Sequence, residues 1–255
     1  MSTYEQTVFD QVEKYLISKR DFVVSRSGHN DGEYKPDNSV VTEIDKMIET
    51  DVRQIINRID SSVDIIGEEF KDQLTGSDTF WTLDPIDGTE HYIRGNPHYI
   101  FMIGLVKEGK PTASLMYNFG KQEMFVGHVS TGATKNGKDI RVSKRSSDRA
   151  IVEIETELRG GYDILERIDN AFFARQTVAY HAGYGFTQVA SGLIEARAQV
   201  NGPGYIYDFL PGCILIKSAG GVVRNINDEG WDYKDLDTIA SNAVIADDLI
   251  KAIKG

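Results

Sequence analysis

Hydrophobic positions in the first sixty residues keep a helical spacing. Val8, Val12 and Leu16 recur every four residues, and Val41, Ile44, Ile48, Val52, Ile55 and Ile59 follow at intervals of three and four. Each series lays one apolar stripe along a helix, so two amphipathic helices packed on a sheet are predicted. Between them SRSGHNDGEYKPDNS is crowded with Gly, Asn, Asp, Ser and Pro and reads as a loop. SVDIIGEEF then gives a short strand ending in Gly67 and two acids, and TFWTLD a second strand ending at Asp84.

From Tyr99 the spacing turns strand-like. YIFMIGLV, PTASLMYNF and EMFVGHV are separated by the hairpin-like turns KEGK and GKQ. After Ala150 the short strands IVEIET and TVAY alternate with helical stretches at 162–174, 186–191, 209–219 and 247–254. The order predicts an α+β fold, with an α+β half over residues 1–146 and a more α/β half over 147–255 that contributes Asp208 and a substrate wall. GATKNGK, at 132–138, matches the spacing of a phosphate-cradling P-loop. The next residue is Asp139 rather than a magnesium-binding Ser or Thr, and DIRVS alternates like a strand where a P-loop needs a helix. Asn136-Gly137 is instead the expected turn of a hairpin.

Composition narrows the function. A chain of 255 residues with 40% hydrophobic content is globular and large enough for a substantial core. Its formal charge of −11 argues against a general nucleic-acid binder, which needs a basic face. MSTYEQTVFDQVEKYL carries charges where a signal peptide needs an apolar core, and no window approaches a membrane-spanning apolar run. The expectation is a soluble cytoplasmic protein with no membrane partner. Cys213, the single cysteine, sits in an aliphatic run and reads as a small core residue. His29, His91, His98, His128 and His181 make no helical zinc-type pair.

The chemistry gathers around WTLDPIDGTEHY. Pro85 bends the chain after Asp84, and Asp87-Gly88-Thr89 resembles a helix start, so the plain reading makes Asp87 an N-cap. The same geometry lets both carboxylates enter one cleft while the N–H groups of Gly88 and Thr89 face an anion. Glu68 and Glu69 follow a strand, and Asp208 opens a segment read as a helix with Pro211 in its first turn and Gly220-Gly221 as its stop. Several hard oxygen donors at element ends suit magnesium better than zinc.

On these motifs the chain resembles the inositol monophosphatase superfamily of magnesium-dependent, lithium-sensitive phosphatases. DNSVVTEID is similar to its early helix motif and IIGEEF to its G-E-E motif. WTLDPIDGTEHYIRGNP matches its D-P-[IL]-D-G-T signature, and YDFLPGCILIKSAGGVV its W-D-x-A-x-G and A-G-G stretch. The resemblance implies a layered α/β/α/β/α sandwich of the inositol monophosphatase and fructose-1,6-bisphosphatase type, a homodimer, and hydrolysis of a small phosphorylated metabolite. It implies that Glu68, Asp84 and the carbonyl of Ile86 hold one Mg2+, and that Asp84, Asp87 and Asp208 hold a second. Glu69 would stand behind these ligands or serve a weaker third ion. Asp45 with Thr89 Oγ1 would orient and deprotonate the attacking water, so that Asp45, Thr89 and Glu68 form the catalytic set. Gly88, Thr89, Asp208 and His181 would meet phosphate and substrate.

The chain also departs from that pattern. TVAYHAGYG lacks the Arg-Ser that precedes VASG in inositol-type members. Where they carry an acid before W-D, Gln199 and Asn201 lie nearest, and Tyr207 replaces the Trp. His91 replaces an Asn, His181 and Tyr184 fall where a substrate wall belongs, and Lys35 is a candidate counter-charge for phosphate. The alcohol is therefore open between inositol phosphate, histidinol phosphate, a 3′-phosphoadenosine nucleotide and a sugar bisphosphate. A metal-free glycosidase and a non-catalytic regulatory binding protein are the competing classes.

Overall fold

The computed structural model describes all residues except 30–31, 35–39, 71–75, 157–161, 178–180, 201–203 and 228–229, so Lys35 and Asn201 lie outside the described residues. Helix α1 (Thr3–Arg26) starts on a capping box in which Glu5 N donates to Ser2 Oγ at 3.3 Å and Ser2 N to Glu5 Oε2 at 2.7 Å. Two short strands pair antiparallel: β1 (Glu33–Tyr34) lies in the stretch read as a loop, and β2 (Val40–Val41), just after it, takes in Val41, read above as the first position of the helical series. Helix α2 (Glu43–Ile59) follows, on a second capping box made by Thr42 and Asp45.

Seven strands form the first sheet. They are β3 (Asp64–Gly67), β4 (Phe80–Asp87), β5 (Ile100–Lys107), β6 (Lys110–Asn118), β7 (Glu123–His128), β8 (Gly132–Lys135) and β9 (Lys138–Ile140), lying side by side in chain order. Only β3 and β4 run parallel. The unbroken apolar run on β5 is explained by burial of both faces. Phe101, Ile103 and Leu105 enter the core under α1 and α2, while Ile100 and Met102 enter a second core on the opposite side. Residues 132–138 form β8, a turn and β9, with Asn136 and Gly137 at φ 49° and 74°, the paired positive angles of a tight hairpin rather than a P-loop.

The second sheet has the order β11-β10-β12-β14-β13, built from β10 (Ile151–Thr156), β11 (Ala174–Thr177), β12 (Ala196–Val200), β13 (Val222–Asn225) and β14 (Thr238–Ser241). Strand β10 runs parallel to both neighbours. Helices α5 (Gly183–Ala190) and α6 (Ile206–Ser218) fill the space between the sheets, and α4 (Tyr162–Ala171) and α7 (Ala246–Lys254) cover the far face of the second. The layers therefore run helix, sheet, helix, sheet, helix, the expected sandwich.

Several boundaries differ from the sequence reading. The strand expected at TVAY lies earlier, at β11, and residues 178–180 are outside the described set. Helix α6 begins at Ile206, which makes Asp208 its third residue and Pro211 its sixth. Pro211 is thus inside the helix rather than in its first turn. Cys213 is buried, and burial pushes its thiol up to about 12, consistent with an inert core residue. Among the described residues no helix is long and apolar enough to cross a membrane.

Candidate active site

Strand β4 does not stop at Asp84. It passes through Pro85 to Asp87, with Asp84 opposite Met102, Asp87 opposite Ile100 and a register shift between them. A bulge at this point tolerates the missing proline N–H and re-aims the side chains. Helix α3 (Thr89–Ile93) is capped by Gly88, not by Asp87. The Asp87 carboxylate instead reaches across the molecule, accepting from Ala182 N at 2.9 Å and Gly183 N at 2.8 Å at the start of α5. An N-cap reading could not foresee donors so far away in the sequence.

Gly88 holds φ +87°, and a Cβ there would stand 2.6 Å from the backbone oxygen of His98. Only glycine fits, because the left-handed region and the close approach both exclude a side chain. We expect Gly88→Ala to destabilise the fold by about 1–3 kcal/mol, and to reduce phosphate release more than this loss of stability explains. Thermal unfolding and phosphate release measured on the same preparation check both.

Asp45 joins this loop from α2. It is fully buried; Thr42 Oγ1 donates to its Oδ2, Thr42 N donates to the same oxygen at 2.9 Å, and Thr89 Oγ1 donates to its Oδ1 at 3.2 Å. Burial, with repulsion from Glu68 and Glu69, outweighs the Thr42 bonds and lifts its pKa to about 7. A carboxylate that titrates near neutrality can take a proton from water. Thr89 Oγ1 also lies 3.0 Å from the carbonyl oxygen of Ile86.

Asp84 is the most constrained of the acids. It is 2% exposed, and its Oδ1 is buried with no hydrogen-bond partner. Burial, then Glu68, Asp87, Asp208 and Asp45, push its pKa well above the carboxylate range. Asp208 is raised by burial and by Glu68, against a bond from Tyr205 N to its Oδ2 at 2.7 Å. Asp87 is lifted to about 7 by burial, against the Ala182 and Gly183 donors and the nearby Arg197. Glu68 donates its N–H to the Leu83 carbonyl at 3.1 Å, which fixes it beside β4, while Glu69 N donates to Glu49 Oε2 at 2.8 Å.

Glu68, Asp84, Asp87 and Asp208 thus share one electrostatic environment. Among the described residues, however, no three His, Cys, Asp or Glu side chains converge closely enough to hold a metal ion. Asp87 and Asp208 are turned onto backbone donors.

One wall of the site is aromatic and basic. His181 is 6% exposed, its ring 4.8 Å from His91 and 5.8 Å from His98, and a Cβ on Gly88 would lie 3.3 Å from its own. Burial, then the charges of Arg197, His91 and His98, lower its pKa to about 3, so its ring is neutral at pH 7. Tyr184 stacks on His98 at 4.3 Å, and Lys121 caps the Tyr184 ring and hydroxyl.

Sequence reasoning missed His98 and Lys121 as wall residues and the buried group of Arg197, Glu153 and Glu155 behind the wall. A signal existed: charges at alternate positions of IVEIET, with an arginine in the apolar EARAQV, have no place in buried strands unless they pair.

A model of the inositol monophosphatase family matches residues 7–254. Inositol monophosphatase 3 of Solanum lycopersicum is 30% identical over 235 residues, 87% of this chain and 86% of that one. The Thermotoga maritima IMPase structure superposes with a TM-score of 0.85 at 22% identity, covering 96% of this chain and 97% of the other. An IMPase/NADP phosphatase solved with Mg2+ and phosphate gives 0.85 at 20% identity, over 98% and 96%. With a family model over residues 7–254 and relatives matched over most of their length, the chain belongs to the inositol monophosphatase family and is a phosphoric monoester hydrolase.

Proposed function

We propose that the chain hydrolyses a small phosphate monoester with the help of two divalent cations, magnesium in the cell. Glu68, Asp84 and the Ile86 carbonyl would hold one, and Asp84, Asp87 and Asp208 the other, with Glu69 serving a third if it binds. The observation that carries this reading is Asp84: a buried carboxylate with an unpartnered oxygen, pressed on by Glu68, Asp87, Asp208 and Asp45. A cluster of that kind costs several kcal/mol unless positive charge enters it. The donors are all hard oxygens, which fits magnesium. The relative solved with Mg2+ and phosphate supports the same choice.

Magnesium, when bound, would neutralise the phosphoryl oxygens and stabilise the departing alkoxide. Asp45 Oδ1 and Thr89 Oγ1 lie 3.2 Å apart and form the pair that would orient the attacking water, with Asp45 accepting its proton. The N–H groups of Gly88 and Thr89 would donate to phosphate oxygens. Asp87 and Asp208 would exchange their backbone donors for the cation. A division into residues 1–146 and 147–255 places Asp208 and the His181 wall in the second part and the other ligands in the first, so both parts complete one site.

The His98 and Tyr184 stack favours a second reading of the alcohol, as one that carries a flat ring such as an imidazole or a nucleobase. Phosphate release from inositol, histidinol, nucleotide and sugar phosphates, with magnesium and with EDTA, tests both. Release only with magnesium supports the metal reading, and the preferred alcohol decides between the two. The family resemblance further suggests a cytoplasmic homodimer, which sedimentation of the purified protein checks.

A further inference from the structure

Strands β10 and β12 lie side by side with Glu153 opposite Arg197 and Glu155 opposite Gln199. Arg197 is 1% exposed, and its guanidinium lies over the Phe186 ring at 5.3 Å. Its Nη1 donates to Glu153 Oε1, and its Nη2 to Glu155 Oε2 and, at 3.2 Å, to the His181 carbonyl. Glu153 is fully buried and takes a further bond from Gln176 Nε2 at 2.7 Å. One arginine balances one glutamate, so Glu155 is a second carboxylate that charge balance does not require. A surplus acid in this position is costly.

Glu155 also lies within electrostatic reach of the site. Its side chain keeps 19% exposure, and Oε1 takes no hydrogen bond among the described residues. The His181 carbonyl that shares Arg197 precedes the Ala182 and Gly183 N–H groups that hold Asp87. Its charge acts on both Asp87 and Asp208. We propose that Glu155, positioned by Arg197, recognises the alcohol half of the substrate by accepting a hydrogen bond from a hydroxyl or ammonium group beside the phosphorylated carbon. The inference rests on the phosphatase reading above. It sets the site against compounds with a second phosphate near that carbon, which Glu155 would repel.

Glycerol 2-phosphate and isopropyl phosphate test it, because they share a secondary alkyl phosphate and differ in two hydroxyls. The readout is the ratio of their kcat/KM values in the unaltered protein, Glu155→Gln and Glu155→Ala. The unaltered protein should prefer glycerol 2-phosphate, and the preference should fall about tenfold in Glu155→Ala, the loss expected for one bond to a charged group. Glu155→Gln should fall less, since its amide oxygen still accepts. Both variants leave Arg197 paired with Glu153, and unfolding midpoints report whether the fold survives. Arg197→Lys should lower the same ratio, through KM more than kcat. An equal loss on both substrates would mean that Glu155 acts only on the acid cluster or the fold, and would overturn the proposal, as would no preference in the unaltered protein. Absence of release from both compounds and from the wider phosphate panel would instead remove the phosphatase reading itself.

Discussion

Asp84→Asn is expected to lower phosphate release by about 10³-fold or more, while raising the unfolding midpoint in EDTA. The two effects have opposite signs for one reason. Asp84 is buried against Glu68, Asp87, Asp208 and Asp45, all of which disfavour its charge. With no cation bound, removing that charge relieves repulsion. The relief is on the order of 1 kcal/mol, the scale of one pKa unit of differential interaction. For a chain of this size that shifts the midpoint by roughly 2–4 °C. With cations present the same change removes the ligand proposed to bridge both ions, and several kcal/mol of charge stabilisation leave the transition state with them. Phosphate-release kinetics in magnesium and differential scanning fluorimetry in EDTA measure the two halves. A variant that is both less stable in EDTA and still active would show Asp84 to be a structural acid.

That contrast also explains what the sequence could and could not reveal. The helices α1 and α2 were legible because each buries one stripe in the same core, against the other helix and the first sheet. Strand β5 was legible because both its faces are buried, which leaves a continuous apolar run. Asp84 and Asp87 stood out because LDPIDGT resembles a family signature, not because the local turn left them unexplained. What they contact was hidden: the donors to Asp87 belong to Ala182 and Gly183, brought opposite only when α5 packs between the two sheets. A local pattern therefore suggested an N-cap, and the cap proved to be Gly88. Pro211 misled in the same way. Its position six residues into α6 follows from a helix start at Ile206, where Tyr205 and Asp208 form the cap. The Arg197 group was written in alternating charges on β10 and β12, but the pairing of those strands is a tertiary fact that no single stretch carries.

Chelation should abolish turnover altogether and also change how stability depends on pH. In EDTA the protein is expected to lose stability as pH rises from about 6.5 to about 8. The folded-state pKa values of Asp45 and Asp87 are raised to about 7, against 3.8 for a free aspartate carboxyl. A raised acid keeps protons that the unfolded chain has already released, so each such group costs nothing at low pH and progressively more as pH climbs through its folded value. Over this window the loss is on the order of 1–2 kcal/mol for the two groups together, because each passes through the midpoint of its folded-state titration. His181 is lowered to about 3, so below about 6.5 protonation of the unfolded histidine favours unfolding and offsets about half of the slope set by the two acids, which stays downward. Magnesium competes with the protons for the same oxygens. Its stabilisation follows RT ln(1 + [Mg2+]/Kd) and strengthens as the carboxyls ionise, so the downward slope should flatten or invert when magnesium replaces EDTA. Unfolding midpoints at the two ends of the window, with each additive, provide four numbers. Parallel pH trends in magnesium and EDTA would mean that the cation does not bind at Asp84, Asp87 and Asp208, and that the acids are raised by burial and mutual repulsion with no cation to relieve them.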